Sequence, residues 1–113
     1  MKVIEVEKLP GVVPPAHYDL ASRRISESPG KAQNIIVGWT RMEPTGRTDP
    51  HSHEDIQHVF IVLKGELGVK GKDEEVILKP GQATIVSPGE VHGNYNRSKG
   101  ETEYISITST LIP

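Results

Sequence analysis

The residues in this sequence best suited to chemistry are imidazoles. His51-Ser52-His53 follows the turn-forming pair Asp49-Pro50 and precedes an apolar run. In extended backbone, residues i and i+2 project to one side about 6.5 to 7 Å apart, so two such rings can converge on one ion. A His-x-His pair alone is more often a polar loop edge than a site, so further donors have to join it. His58 lies five residues after His53, an odd offset that would turn it to the opposite face of an uninterrupted strand. Glu54-Asp55-Ile56-Gln57 must therefore contain a turn or bulge. With that turn in place, His58, Phe60 and Val62 share the face of His51 and His53, and Val59, Ile61 and Leu63 lie behind them. His92 follows the turn Ser87-Pro88-Gly89, with Asn94 and Asn96 on its face if that strand is regular.

The elements that must position these groups are short and β-branched. Apolar segments at Val3 to Val6, Ile35 to Met42, Ile56 to Leu63, Leu67 to Lys70, Val76 to Leu78, Ala83 to Val86 and Tyr104 to Thr110 read as strands. Pro- and Gly-rich breakers separate them, among them Pro14-Pro15, Ser28-Pro29-Gly30, Pro44-Thr45-Gly46, Pro80-Gly81 and Ser98-Lys99-Gly100, at the spacing of sandwiches and barrels. The fold class is all-β, a barrel or jelly roll. Ala16 to Ser26 is the one candidate helix, although Tyr18, Leu20 and Ile25 hold no clean 3.6-residue stripe. Ile56 to Leu63 is apolar on both faces where a half-exposed strand would alternate. One face fills the barrel and the other needs a cover, for which a homodimer is the economical expectation.

Composition narrows the function classes. At 113 residues the chain is sized for one domain, and 13 Lys and Arg against 15 Asp and Glu give a net charge of −2, with no case for nucleic acid or anionic membranes. There is no cysteine, which excludes disulfides, thiolate nucleophiles and sulfur-ligated metals. No early segment reads as a signal peptide and no apolar run reaches the roughly 20 residues of a membrane span, so the expected location is the cytoplasm.

The chain resembles the cupin superfamily. That family's first motif runs Gly, five residues, His-x-His, three or four residues, Glu, six residues, Gly; here His51-Ser52-His53 is followed by four residues, His58, six residues and Gly65. Its second motif runs Gly, five residues, Pro-x-Gly, two residues, His, three residues, Asn; Gly81, Ser87-Pro88-Gly89, His92 and Asn96 keep those intervals. The resemblance implies a single-domain double-stranded β-helix, with an N-terminal arm and first strands over 1–34 and the conserved barrel over 35–113. It also implies a metal on His51, His53, His58 and His92. The departures are Thr45 in place of the first Gly, with Gly46 next to it, Ser87 in place of the Pro, and His58 in place of the usual Glu. An imidazole instead of a carboxylate leaves a divalent centre at +2 rather than +1, which favours anionic ligands and strengthens the Lewis acid. Gln57 is the alternative at that position, but the six-residue count to Gly65 selects His58. The all-nitrogen donor set suits one divalent transition metal, iron or manganese by resemblance, with nickel, zinc or copper compatible.

Other residues are expected around that ion. Asn94, Phe60, Val62 and Gln57 are candidate pocket lining. Trp39 and Arg41 share one strand face and would join the pocket, with Arg41 available to a substrate carboxylate, if that face points inward. Asn96 reads as a structural turn residue. His17 and Tyr18 read as a surface arm, and Asp73-Glu74-Glu75 as a solvated hairpin tip. The expected function is a metal-dependent, dioxygenase-like cupin acting on a small anionic or enolisable oxygen-donor molecule. The alternatives are redox-neutral isomerase or decarboxylase chemistry and non-catalytic small-molecule binding. The redox-neutral route needs a proton carrier, for which His17, Tyr18 and Tyr95 are the candidates.

Overall fold

Short β-branched segments interrupted by Pro and Gly can satisfy their backbone groups only by pairing with one another. The computed structural model, which describes residues 1–26 and 34–110, pairs them into one antiparallel sheet. Its strands are β1 (His17–Arg24), β2 (Ile35–Thr48), β3 (Ile56–Lys64), β4 (Leu67–Lys70), β5 (Glu75–Leu78), β6 (Ala83–Val86), β7 (Gly93–Asn96) and β8 (Thr102–Thr110). They lie in the order β5-β4-β7-β2-β8-β3-β6, with β1 added along β2, and curl into a nearly closed barrel. Among the described residues no helix is long and apolar enough to cross a membrane.

Strand alternation decides what fills the barrel. Thr40 and Met42 of β2, Phe60 and Val62 of β3, and Thr102 and Tyr104 of β8 are all buried, while their odd- or even-numbered neighbours face outward. Met42, Val62, Leu67 and Thr102 are fully enclosed and, with Leu78, Val86 and Val69, plug one end. Each large apolar side chain buried there contributes about 1.5–3 kcal/mol. The polar members of the same stripes, Thr40, Ser106 and Thr108, line a cavity at the other end.

Two local devices hold the site end in shape. β2 runs six residues beyond the expected Met42, because after leaving β8 it continues along β1 and touches β7 at Arg47 opposite Tyr95. In that continuation Leu20 faces Met42 and Tyr18 faces Arg47, so a single β1 residue, Asp19, opposes four of β2. The resulting kink brings backbone so close that a Cβ at Gly46 would stand 2.8 Å from the Asp19 carbonyl oxygen, so a glycine is required there. The second device is Asn96. Its amide nitrogen donates to the carbonyls of Met42 (3.3 Å), Glu43 (2.9 Å) and Gly100 (2.8 Å), and its oxygen accepts from Ser98 N (2.8 Å), Ser98 Oγ (2.7 Å) and Thr102 Oγ1 (2.8 Å). One buried side chain thus ties the β2 kink to the β7–β8 turn.

Two elements differ from the sequence reading. The candidate helix at Ala16 to Ser26 is strand β1, because hydrogen bonding to the long β2 outweighs a weak helical stripe. The expected strand at Val3 to Val6 is absent; the arm instead makes a 3-10 turn at Val6–Lys8 and a short bridge between Val12 and Ser22. The breaker Ser28-Pro29-Gly30 lies outside the described residues. Replacing Asn96 with Ala removes six hydrogen bonds at a buried position, and urea denaturation should show a loss of about 3 kcal/mol. A change within experimental error would remove Asn96 from this structural role.

Candidate metal centre

The site is assembled by two chain segments and one strand. His51 and His92 are bridged as an isolated antiparallel pair, each backbone N–H donating to the other's carbonyl at 2.9 Å. Their rings consequently stand 4.4 Å apart, centre to centre. A turn at Glu54-Asp55 follows His53 and supplies the expected break, after which β3 carries His58 to the same cavity. The His58 ring lies 5.0 Å from that of His92 and stacks on Phe60 at 5.5 Å with 12° between planes.

His51, His58 and His92 each offer a nitrogen, all within 4.8 Å of one another. His53 stands beside this trio, 5.0 Å from the His51 ring and 5.6 Å from the His58 ring, but is not in the tight set. The far nitrogens are occupied in a way that leaves the near ones free. His51 Nδ1 donates to the Asp49 carbonyl at 2.8 Å and His92 Nδ1 to the Glu90 carbonyl at 3.2 Å, so Nε2 of each ring carries the lone pair. His58 Nδ1 meets Thr108 Oγ1 at 3.2 Å, and its buried Nε2 has no partner. A buried ring nitrogen without a partner, facing two rings tautomerically set as acceptors, fits a cation, and carbonyl-oriented imidazoles are the usual support of a metal ligand.

Burial and the neighbouring imidazoles favour the neutral form of His58 and His92. Burial is the first cause that pushes His58 down, to about 4, with His92, His53 and His51 adding in that order. Burial also lowers His92, partly offset by its hydrogen bond to the Glu90 carbonyl. Neutral imidazole is the form that binds metal.

The cavity beside the rings measures about 200 Å³. Besides the four histidines its wall holds Phe60, the hydroxyls of Ser22, Thr40, Thr48, Tyr104, Ser106 and Thr108, the Asn94 amide, and Pro14 and His17 from the arm. No Asp, Glu, Lys or Arg of the described residues lines it. His17, the first residue of β1, stands at 6.3 Å from the His51 ring, with Nδ1 on the Pro15 carbonyl at 2.8 Å, which adds a fifth imidazole to the cavity wall. Tyr18 instead donates to Asp49 at 2.9 Å and stacks under Arg47, and Tyr95 lies across Gly68 with its hydroxyl on Glu75, both away from the cavity.

Four candidate lining residues stand elsewhere. Trp39 and Arg41 fall on the outer parity of β2 and line a separate hollow with Glu5, Val6, Glu7 and Arg23. Arg41 is engaged there by Glu7 (2.7 Å) and Glu103 (2.8 Å), so it is no carboxylate anchor for this cavity. Val62 belongs to the core plug, and Gln57 is one residue out of phase with His58. The residues that sequence reasoning missed, Tyr104, Ser106 and Thr108, were available from period-2 alternation once Tyr104 was taken as inward.

A family model described as Cupin domain matches residues 38–108. A curated relative from Mycobacterium tuberculosis named β-D-galactosidase is 27% identical over 99 residues, 87% of this chain and 84% of that protein. Among solved structures, a predicted oxalate decarboxylase from Thermotoga maritima superposes with TM-score 0.85 at 14% identity, covering 97% of this chain and all of that one. The polyketide cyclase RemF from Streptomyces resistomycificus gives TM-score 0.82 at 22% identity, covering 100% of this chain and 87% of that one. At those identities the two structures speak for the fold alone.

The lowered His58 carries a pH signature. An ordinary imidazole titrates near 6.5 and folded His58 near 4, so between those values the unfolded chain holds a proton that the folded chain lacks. Stability is complete above pH 6.5 and falls as pH drops towards 4. Chelator-treated protein should therefore melt at progressively lower temperature through that window, and His58→Gln should remove much of the slope. A flat melting profile for the parent protein would contradict this.

Proposed function

The chain belongs to the cupin family, and from that premise we propose that it is a metal-dependent enzyme performing redox-neutral chemistry on a small oxygen-donor molecule held beside His51, His58 and His92. The observation that carries this reading is the buried, unpartnered His58 Nε2 facing the two rings whose tautomers are set as acceptors. His53 is the fourth ligand in this proposal, entering the set by a side-chain adjustment from its position beside the trio. The nitrogen donors suit one divalent transition metal, iron or manganese by resemblance to the family, with nickel, zinc and copper compatible. When bound, the ion supplies Lewis acidity, polarising a carbonyl or acidifying water.

The chain's own residues provide the rest. Burial raises the Tyr104 hydroxyl above its ordinary value, so at neutral pH it remains protonated and serves as a hydrogen-bond donor to a substrate oxygen. His17, at the arm's end of the wall, is placed to exchange a proton with solvent. The hydroxyl wall orients polar groups, and Phe60 excludes water from one side. In this reading His17 and Tyr104 are the proton-carrying side chains that a redox-neutral route needs. The M. tuberculosis relative bears the name of a hydrolase, also redox-neutral. The cavity wall has no carboxylate pair, so a two-carboxylate glycosidase mechanism is not the one proposed.

Oxygenation is the second reading, favoured by the nitrogen-only donors. Protein purified without a His tag should contain about one equivalent of transition metal per chain by elemental analysis, and His58→Ala and His92→Ala should each lose most of it. The iron(II)-loaded protein should consume no O₂ with 1,3-diketones, catechols or 2-oxo acids. Sustained uptake abolished by His53→Ala would replace the redox-neutral reading with oxygenation.

We further propose a homodimer through the outer sheet face. Opposite partners in the ladders put Ile85, Val59, Ile107 and Val37 in one row and Ala83, Ile61, Ile105 and Trp39 in the next, all on the outside. Ile85 is 62% exposed. A second copy covers this face with the same apolar face. Light scattering should give twice the 12.4 kDa chain mass, and Ile107→Glu should halve it; a monomer would refute the dimer.

A further inference from the structure

Building on the proposed metal-dependent function, we propose that the cavity takes a small hydroxy-carbonyl compound without a second carboxylate, with Asn94 Oδ1 accepting a hydrogen bond from a ligand hydroxyl. The argument begins with the polar inventory of the wall. Outside the histidines it consists of hydroxyls and one amide, without a cationic side chain among the described residues. A dicarboxylate placed here has the ion for one carboxylate and nothing charged for the other, and an unpaired buried carboxylate is strongly disfavoured.

Asn94 sharpens the choice. It is 4% exposed, and its backbone N–H donates to Thr48 Oγ1 at 2.9 Å. Its Oδ1 is buried without any hydrogen-bond partner, and the Tyr104 hydroxyl, raised by burial, is partly lowered by Asn94, as an N–H directed at it would do. The amide nitrogen is therefore the group turned to Tyr104 and Oδ1 the free atom. An amide oxygen only accepts, so what satisfies it must bring a proton. A carboxylate oxygen would set lone pairs against lone pairs, whereas a hydroxyl donates. Asn94 lies two residues beyond His92 on β7 and lines the same cavity, so one ligand can reach both the imidazole cluster and the amide. The cavity of about 200 Å³ is below the about 300–1,000 Å³ of drug-sized pockets, which restricts the ligand to a few carbons. A carbonyl oxygen beside a hydroxyl on the neighbouring carbon meets all three constraints, and Asn94 is the specificity-determining contact.

The test is titration calorimetry of the full chain with dihydroxyacetone, acetone and malonate, with metal content measured on every sample. Dihydroxyacetone should bind about tenfold or more tightly than acetone, which lacks the hydroxyl, and more tightly than malonate. Asn94→Leu should lower dihydroxyacetone affinity about tenfold while leaving acetone unchanged. Malonate binding more tightly than dihydroxyacetone, absence of dihydroxyacetone binding, or a folded Asn94→Leu that binds it as before would each overturn the assignment. If Asn94→Leu does not fold, the ranking of the three ligands by the parent protein decides. Parent protein without metal would defeat the metal-centre reading separately, because the Asn94 contact is still read in the same titration.

Discussion

The site depends on one pair of backbone hydrogen bonds. His51 and His92 lie 41 positions apart in sequence, on chain segments that are not part of any longer ladder, and their reciprocal N–H to carbonyl bonds hold those segments side by side. Directly opposed residues in an antiparallel pair put their side chains on the same face and close together, so the bridge determines that the two rings meet. The remaining geometry works to permit that bridge. The β2 kink at Gly46 directs the chain towards His51, Asn96 secures the kink to β7, the strand that follows His92, and the Ser87-Pro88-Gly89 turn is held by the Gly89 N–H on the His53 carbonyl at 2.7 Å.

Placing neutral imidazoles at one end of a barrel makes a trade between stability and readiness. The apolar plug of Met42, Val62 and Leu67 stabilises the fold at one end, while the opposite end buries nitrogens and hydroxyls that could hydrogen-bond water in the unfolded chain. Holding His51 and His92 by carbonyls at their far nitrogens keeps the near nitrogens unprotonated and aimed. Little reorganisation is then needed when a cation arrives, which is what preorganisation contributes to affinity.

The fold was readable in the sequence because its signals are local: β-branched runs, Pro-Gly breakers and two motifs whose intervals match a known barrel. The turn between His53 and His58 followed from parity alone, and the structure has it at Glu54-Asp55. The identity of the pocket wall was less legible. Trp39 and Arg41 could be assigned to one face but not to the inner one, because the inward direction of β2 is set by its pairing with β8, a contact distant in sequence. The same cause leaves Ala16 to Ser26 a mere candidate helix in the sequence: the extended form of β1 is imposed by β2 rather than by its own residues. The orientation of the Asn94 amide depends on Tyr104, a neighbour that only the folded chain supplies.

The arm that delivers Pro14 and His17 to the cavity rim is fastened on the other side of the sheet. Its 3-10 turn is tied by Glu7 to Arg41, which also engages Glu103, and Arg23 caps the Leu9 carbonyl at 3.2 Å. Glu7 is largely in solvent, where dissolved ions weaken such a clamp. The salt-sensitive clamp therefore bears on the outer turn alone, because Pro14 and His17 are kept at the rim by uncharged backbone pairing, the Val12–Ser22 bridge and the register of His17 with Thr48.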